Sequence, residues 1–260
     1  MLFSRFENIL MMFRTNPANA ALYIIIYGAS ILLSLMLHEC GHGLVAYWCG
    51  DSTARDLGRL TLNPAKHLDP VGTVCMLLFG FGWARPVPVV TRNFRKLRRD
   101  YVLVSVAGIT VNLILFLLFM ALSVILNQFI WIDGFGQEAK NALFWLSDYL
   151  VSKGDFTGYI DCFRIPALMY LQCFFQLMAV VNISLAVFNL LPVPPMDGWR
   201  ILDGTLLRGR LRLTPQVMEW MRFGLIALMF SGLLGRGLSF VTGGAIDGVL
   251  WLYRTVGGLQ

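Results

Sequence analysis

Apolar and polar positions along this chain fall in long blocks, not in the short alternation of a soluble amphipathic fold. Residues 21–37, 101–128, 165–191 and 223–242 are nearly unbroken apolar stretches. Each comes close to or exceeds the roughly 20 residues that carry a helix across a bilayer, so the pattern predicts four spans. A fifth apolar stretch, 71–84, is too short to span, contains Gly80 and Gly82 and runs into Pro86 and Pro88. Segments of about 10–14 apolar residues re-enter or stay buried more often than they cross, and 71–90 is expected to be a re-entrant or β-hairpin-like segment. Leu2, Phe3, Phe6, Ile9, Leu10 and Phe13 form the apolar stripe of a helix that could lie along the interface. The connection 131–164 is long for a helical bundle, and a short surface helix is expected over Phe144 to Val151. No repeat or low-complexity tract interrupts the chain. The expected fold is an all-α polytopic membrane protein, a helical bundle forming one domain over 1–260. Its core is 21–205, with an interfacial helix within 1–20 and a C-terminal transmembrane region at 206–260.

Composition agrees with the pattern. Of 260 residues, 57% are hydrophobic and 14% charged, against about 45–50% and about 25% in soluble chains. Such a chain cannot furnish a charged shell. The net charge of +6 raises nucleic acid as a partner, but the basic residues sit in short loops between apolar blocks. They therefore report topology, and the expected partners are the lipid bilayer and no nucleic acid. Loop 85–100 carries Arg85, Arg92, Arg95, Lys96, Arg98 and Arg99 against Asp100, and 192–222 is also basic, whereas 131–164 is acidic. By the positive-inside rule the two basic loops face the cytoplasm and the acidic one faces outward. With 71–84 re-entrant, the first helix then runs from outside to inside. Cys40, Cys49, Cys75, Cys162 and Cys173 contain no CxxC pair, and their odd number excludes a fully paired framework. They are expected to be mostly buried thiols.

Residues 38–42 read His-Glu-Cys-Gly-His. On a helix, positions i and i+4 share a face, so His38 and His42 can present two imidazole nitrogens to one metal ion. Glu39 lies beside that face, where a carboxylate reaches a water rather than the ion. Cys40 points away, and Gly41 lets another helix or a substrate approach. Two histidines packed in a soluble helix would be unremarkable, but ionisable groups at the end of an apolar span are costly and usually functional. A catalytic zinc site takes three protein ligands. The remaining histidine, His67, lies in a polar loop. Asp197 is better placed, because it follows the span 165–191 across Pro192, Pro194 and Pro195, at the same end of the bundle as the His pair.

The HExxH motif in a transmembrane helix, followed much later by NLLPVPPMDGWRIL, resembles the site-2 protease family of intramembrane zinc metalloproteases. GRLTLNPAKHLDPVGTV, FGWARPVPV and NFRKLRRDYVLVSVAG resemble its compact bacterial and archaeal branch, which lacks PDZ and CBS domains; the likeness covers roughly 38–205. The resemblance implies His38, His42 and Asp197 as ligands of one zinc per chain, Glu39 as the catalytic carboxylate and Asn189 near the scissile carbonyl. It also implies a transmembrane protein as substrate and a bacterial or archaeal cell membrane as location, with the site toward the cytoplasm. One departure is Ala107-Gly108-Ile109-Thr110-Val111-Asn112, which lacks the family's proline. That leaves a kink there, and the role of Asn112, undetermined. The implied chemistry is hydrolysis by a zinc-activated water with Glu39 as general base. Two other classes fit the sequence less well. A transporter or channel would call for an inverted repeat, which the chain does not show; a catalytically silent scaffold would not need all four catalytic-type residues.

Overall fold

The structure, a computed structural model, describes residues 2–79, 83–134, 136, 161–211 and 213–256. Helix α1 (Leu2–Thr15) turns at Asn16 into α2 (Pro17–Trp48). Pro17 has no N–H to lose at a helix start, and the Asn16 side chain accepts from the Asn19 N–H. Ile9 and Met12 of α1 are buried, and Met12 joins a core with Tyr23, Tyr27 and Met76. Next come a single turn α3 (Thr53–Asp56), helix α4 (Pro70–Phe79) and the long α5 (Leu97–Phe129). Helix α6 (Pro166–Asn189) leads through a proline-rich reversal into α7 (Asp197–Leu202), and α8 (Pro215–Phe230) and α9 (Leu233–Val256) complete the chain. No strand occurs among the described residues; Trp131 and Phe163 form an isolated bridge where α5 ends. The helix expected over Phe144 to Val151 lies outside the described residues.

Helices α2, α5 and α6 are each long and apolar enough to cross a membrane, and the protein is an all-α polytopic membrane protein. The fourth expected span, 223–242, is not one straight helix. Helices α8 and α9 form a pair bent by 74°. Gly232, at φ 75°, takes the left-handed conformation that ends a helix, and its N–H returns to the Met229 carbonyl. Residues 243–256, within the expected C-terminal transmembrane region, belong to α9. There Ile246 packs with Phe116 and Met120 of α5 and Ala179 and Ile183 of α6. Helix α5 runs unbroken past Ala107-Gly108-Ile109 without the proline.

Side-chain hydrogen bonds set the register of the three spans. Asn182 of α6 donates to Ser34 of α2, and Gln172 of α6 donates to Ser123 of α5. At about 0.6 kcal/mol each in a membrane, such bonds specify alignment more than they stabilise. They place α2 and α6 parallel, with α5 antiparallel to both. The C-terminal ends of α2 and α6 and the N-terminal end of α5 therefore meet at one end of the bundle.

The short apolar segment returns to where it starts. Helix α4 descends beside α2, bringing Leu77 against Gly28, and Trp83 lies back against Gly72 near the start of α4. A Cβ on Gly72 would fall 2.1 Å from the Trp83 carbonyl oxygen, so only glycine permits this approach. The Arg85 N–H donates to the His67 carbonyl and closes the base of the excursion. The descending limb is a helix and the return limb, 83–90, is extended without a partner strand. The β-hairpin alternative is thereby corrected: an apolar decamer without neighbouring strand edges satisfies its backbone internally only as a helix.

Candidate metal centre

Helix geometry brings His38 and His42 onto one face of α2, and tertiary packing supplies the rest. Met196 N–H returns to the Val193 carbonyl and Trp199 N–H to the Met196 carbonyl. These turns fold the segment after α6 back on itself and set Asp197 in the first turn of α7, where the helix dipole favours a carboxylate. Asp197 Oδ2 lies 3.4 Å from His38 Nε2 and 3.1 Å from His42 Nε2, and the two Nε2 atoms are 3.1 Å apart. All three residues are buried. His67, the other histidine, is elsewhere: its Nε2 lies 2.9 Å from the Thr61 carbonyl and its backbone carbonyl ties down Arg85. Cys40 points away as expected, with its thiol toward the Thr61 carbonyl. None of the five cysteines is paired; Cys49 and Cys173 are buried, while Cys40, Cys75 and Cys162 are only half-buried.

The residues present fit a zinc ion. Tetrahedral bonds of about 2.0–2.1 Å require ligand atoms about 3.3–3.4 Å apart, close to the separations seen. Asp197 Oδ2 is also buried with no hydrogen bond of acceptable geometry, although two ring nitrogens stand beside it. Lone pairs converging on a common point would produce that arrangement; donor–acceptor pairing would not.

Around the ligands, α5 contributes a column of residues four apart. His42 Nδ1 donates to the Val104 carbonyl at 2.7 Å, and the Asn112 amide lies 3.1 Å from His38 Nδ1. Between them, a Cβ on Gly108 would fall 2.5 Å from both His38 Cε1 and His42 Nε2. Gly41 meets Val111 and the Ala107 carbonyl, so its missing side chain admits α5 as the sequence suggests. Gly108 was not singled out in the sequence; the available signal was a glycine four residues before an asparagine inside a span.

Glu39 is half-buried, and its Oε2 accepts from the Val87 N–H at 2.8 Å. The extended limb thus runs past the carboxylate. Its N–H groups at Arg85 and Val87 are both bonded, to the His67 carbonyl and to Glu39, whereas Pro86 and Pro88 have no N–H to donate. Beyond the limb, Asp51 is fully buried and accepts from the Val90 N–H and the Asn93 amide, and from the Thr53 N–H and hydroxyl. Asn189 sits at the end of α6, where its amide donates to the Leu185 carbonyl of its own helix.

Residues 26–231 match the profile of peptidase family M50. The chain belongs to this family, the site-2 proteases. It is 40% identical over 187 residues to the "Putative zinc metalloprotease YwhC" of Bacillus subtilis, covering 72% of this chain and 70% of that protein. A Mycolicibacterium smegmatis protein of the same description, Rip2, is 26% identical over 213 residues, covering 80% of this chain and 68% of its own length. No solved structure matches the chain. Family, site and apolar helices together make this an integral membrane zinc metalloprotease.

Proposed function

We propose that this M50 protease is an endopeptidase that cuts a membrane protein in or near a membrane-spanning segment. One zinc per chain is held by His38, His42 and Asp197, and Glu39 is the general base. The observation that carries this reading is the convergence of three ligand atoms, with Glu39 one residue away, inside the bundle of spanning helices. A zinc ion bound there supplies Lewis acidity, polarising the scissile carbonyl and lowering the pKa of water.

The chain's own groups do the rest. Glu39, oriented by the Val87 N–H, takes the proton of the attacking water on its second oxygen and delivers it to the leaving amine. Asn189, once turned from the Leu185 carbonyl, donates to the carbonyl oxygen as negative charge develops. The basic loops 85–100 and 192–222 support a centre on the cytoplasmic side by the positive-inside rule, and the family resemblance supports a bacterial or archaeal cell membrane.

The test pairs wild type with Glu39→Gln on a membrane-inserted substrate, with zinc analysis of both. Wild type should hold about one zinc and cleave; Glu39→Gln should hold zinc and not cleave, because an amide cannot accept the proton. Turnover by a clean Glu39→Gln preparation, or wild type free of zinc, would sink the reading.

A further inference from the structure

Metal binding through Nε2 requires the ring proton on Nδ1, and that N–H needs an acceptor to fix the tautomer and the ring plane. The two histidines meet this need differently. His42 Nδ1 faces the Val104 carbonyl, which can only accept. His38 Nδ1 faces the side-chain amide of Asn112, a residue with no exposed surface.

The nitrogen of that amide lies on the His38 side, and its Oδ1 is buried without a partner. With the amide nitrogen toward Nδ1 the ring proton would sit on Nε2, at odds with a lone pair directed at Asp197 and His42. A half-turn about χ2 exchanges two atoms of nearly equal size and presents Oδ1 to an Nδ1–H instead. A carbonyl oxygen there would hold the Nε2 lone pair toward Asp197 and His42.

We infer that Asn112 is a positioning residue for His38, its amide oxygen accepting from Nδ1–H when the ring ligates metal. Three observations carry this, and it rests on the zinc reading above. Asn112 shares the i, i+4, i+8 column of α5 with Val104, whose carbonyl meets His42, and Gly108, which lies against both rings. It is buried beside the ring at hydrogen-bonding distance. Its oxygen has no other occupation. A packing residue at this depth would need no amide.

The experiment measures zinc affinity by chelator competition on purified, folded protein, comparing wild type with Asn112→Leu and Asn112→Asp. Leucine keeps the bulk and removes the acceptor; aspartate keeps an acceptor and removes the donor. Outer-shell partners of ligating histidines are worth about 10–100-fold in affinity. Asn112→Leu should therefore bind zinc about 10–100-fold more weakly, and Asn112→Asp should restore binding to within a few-fold of wild type. If Asn112→Leu folds and binds zinc like wild type, or if Asn112→Asp is as weak as leucine, the inference is wrong. Failure of both variants to fold would assign Asn112 to packing and equally overturn it. Absence of zinc from wild type would instead strike the underlying zinc assignment.

Discussion

A methyl group on Gly108 would press on both histidine rings at 2.5 Å, in a place where neither α2 nor α5 can move without losing the interface around Gly41. Gly108→Ala should therefore leave a folded protein that has lost at least tenfold in zinc affinity, the low end of what disturbing a ligand's surroundings costs. Chelator competition would show this, and wild-type affinity would mean that the helices separate more easily than their packing implies. His42→Ala removes a ligand outright, and metal analysis should find most of the zinc gone. Asn189→Ala is milder: an oxyanion donor is worth about 10²–10³ in rate, so cleavage should fall within that range with zinc content unchanged. A wild-type rate in that variant would leave Asn189 as a helix-end residue bonded to Leu185.

Among the elements, the extended limb 83–90 controls the most with the least structure of its own. It has no partner strand among the described residues, so its position depends on four residues: His67 and Arg59 at Arg85 and Pro86, Glu39 at Val87 and Asp51 at Val90. The sequence suggests that Pro86 and Pro88 blunt one edge and leave the Val87–Val89 edge for a substrate strand; instead the Val87 N–H is spent on Glu39. Val87→Pro should accordingly slow cleavage by freeing the carboxylate while zinc content stays at the wild-type level. An unchanged rate would show that Glu39 needs no support from the limb. The Asp51 anchor carries a pH signature. Burial alone would raise its pKa, but the hydrogen bonds from Thr53, Val90 and Asn93 outweigh burial and lower it. A carboxyl depressed in the folded state stabilises above its unfolded pKa of about 3.9 and loses that contribution as pH falls below it. Thermal unfolding in detergent should show Asp51→Asn less stable than wild type at pH 6, with the gap narrowing below about pH 4. A gap constant with pH would show that Asp51 acts uncharged.

For the whole molecule, the parallel pair α2 and α6, with α5 antiparallel to both, requires the segment between α2 and α5 to begin and end on one side. Single cysteines at Leu62 and Arg95, both exposed, should label from the same face of the membrane, and one at Asp133 from the other. Labelling of 62 and 95 from opposite faces would mean that 71–84 crosses, and would reverse α2. The same arrangement explains why one end of the bundle holds all the chemistry. Only there do the C-terminal ends of two spans and the N-terminal end of the third bring His38, His42, Asp197 and the α5 column together.

The amino-acid sequence alone determined what rests on local periodicity and on the cost of charge in lipid. Apolar block length gave three of the four spans, i, i+4 spacing put His38 and His42 on one face, and the shortness of 71–84 was enough to predict its return. Asp197 was legible because three prolines following a span end its helix and a zinc site needs a third ligand. What remained hidden depends on which helix lies against which. The roles of Gly108 and Asn112 come from the approach of α5 to α2, and the break at Gly232 from a local left-handed turn inside an otherwise apolar run. The occupation of the Val87 N–H depends on a carboxylate 48 positions earlier in the chain. Contacts between segments distant in sequence leave no periodic trace, because the residue types involved, glycine, asparagine and a backbone amide, are as common in passive roles as in active ones.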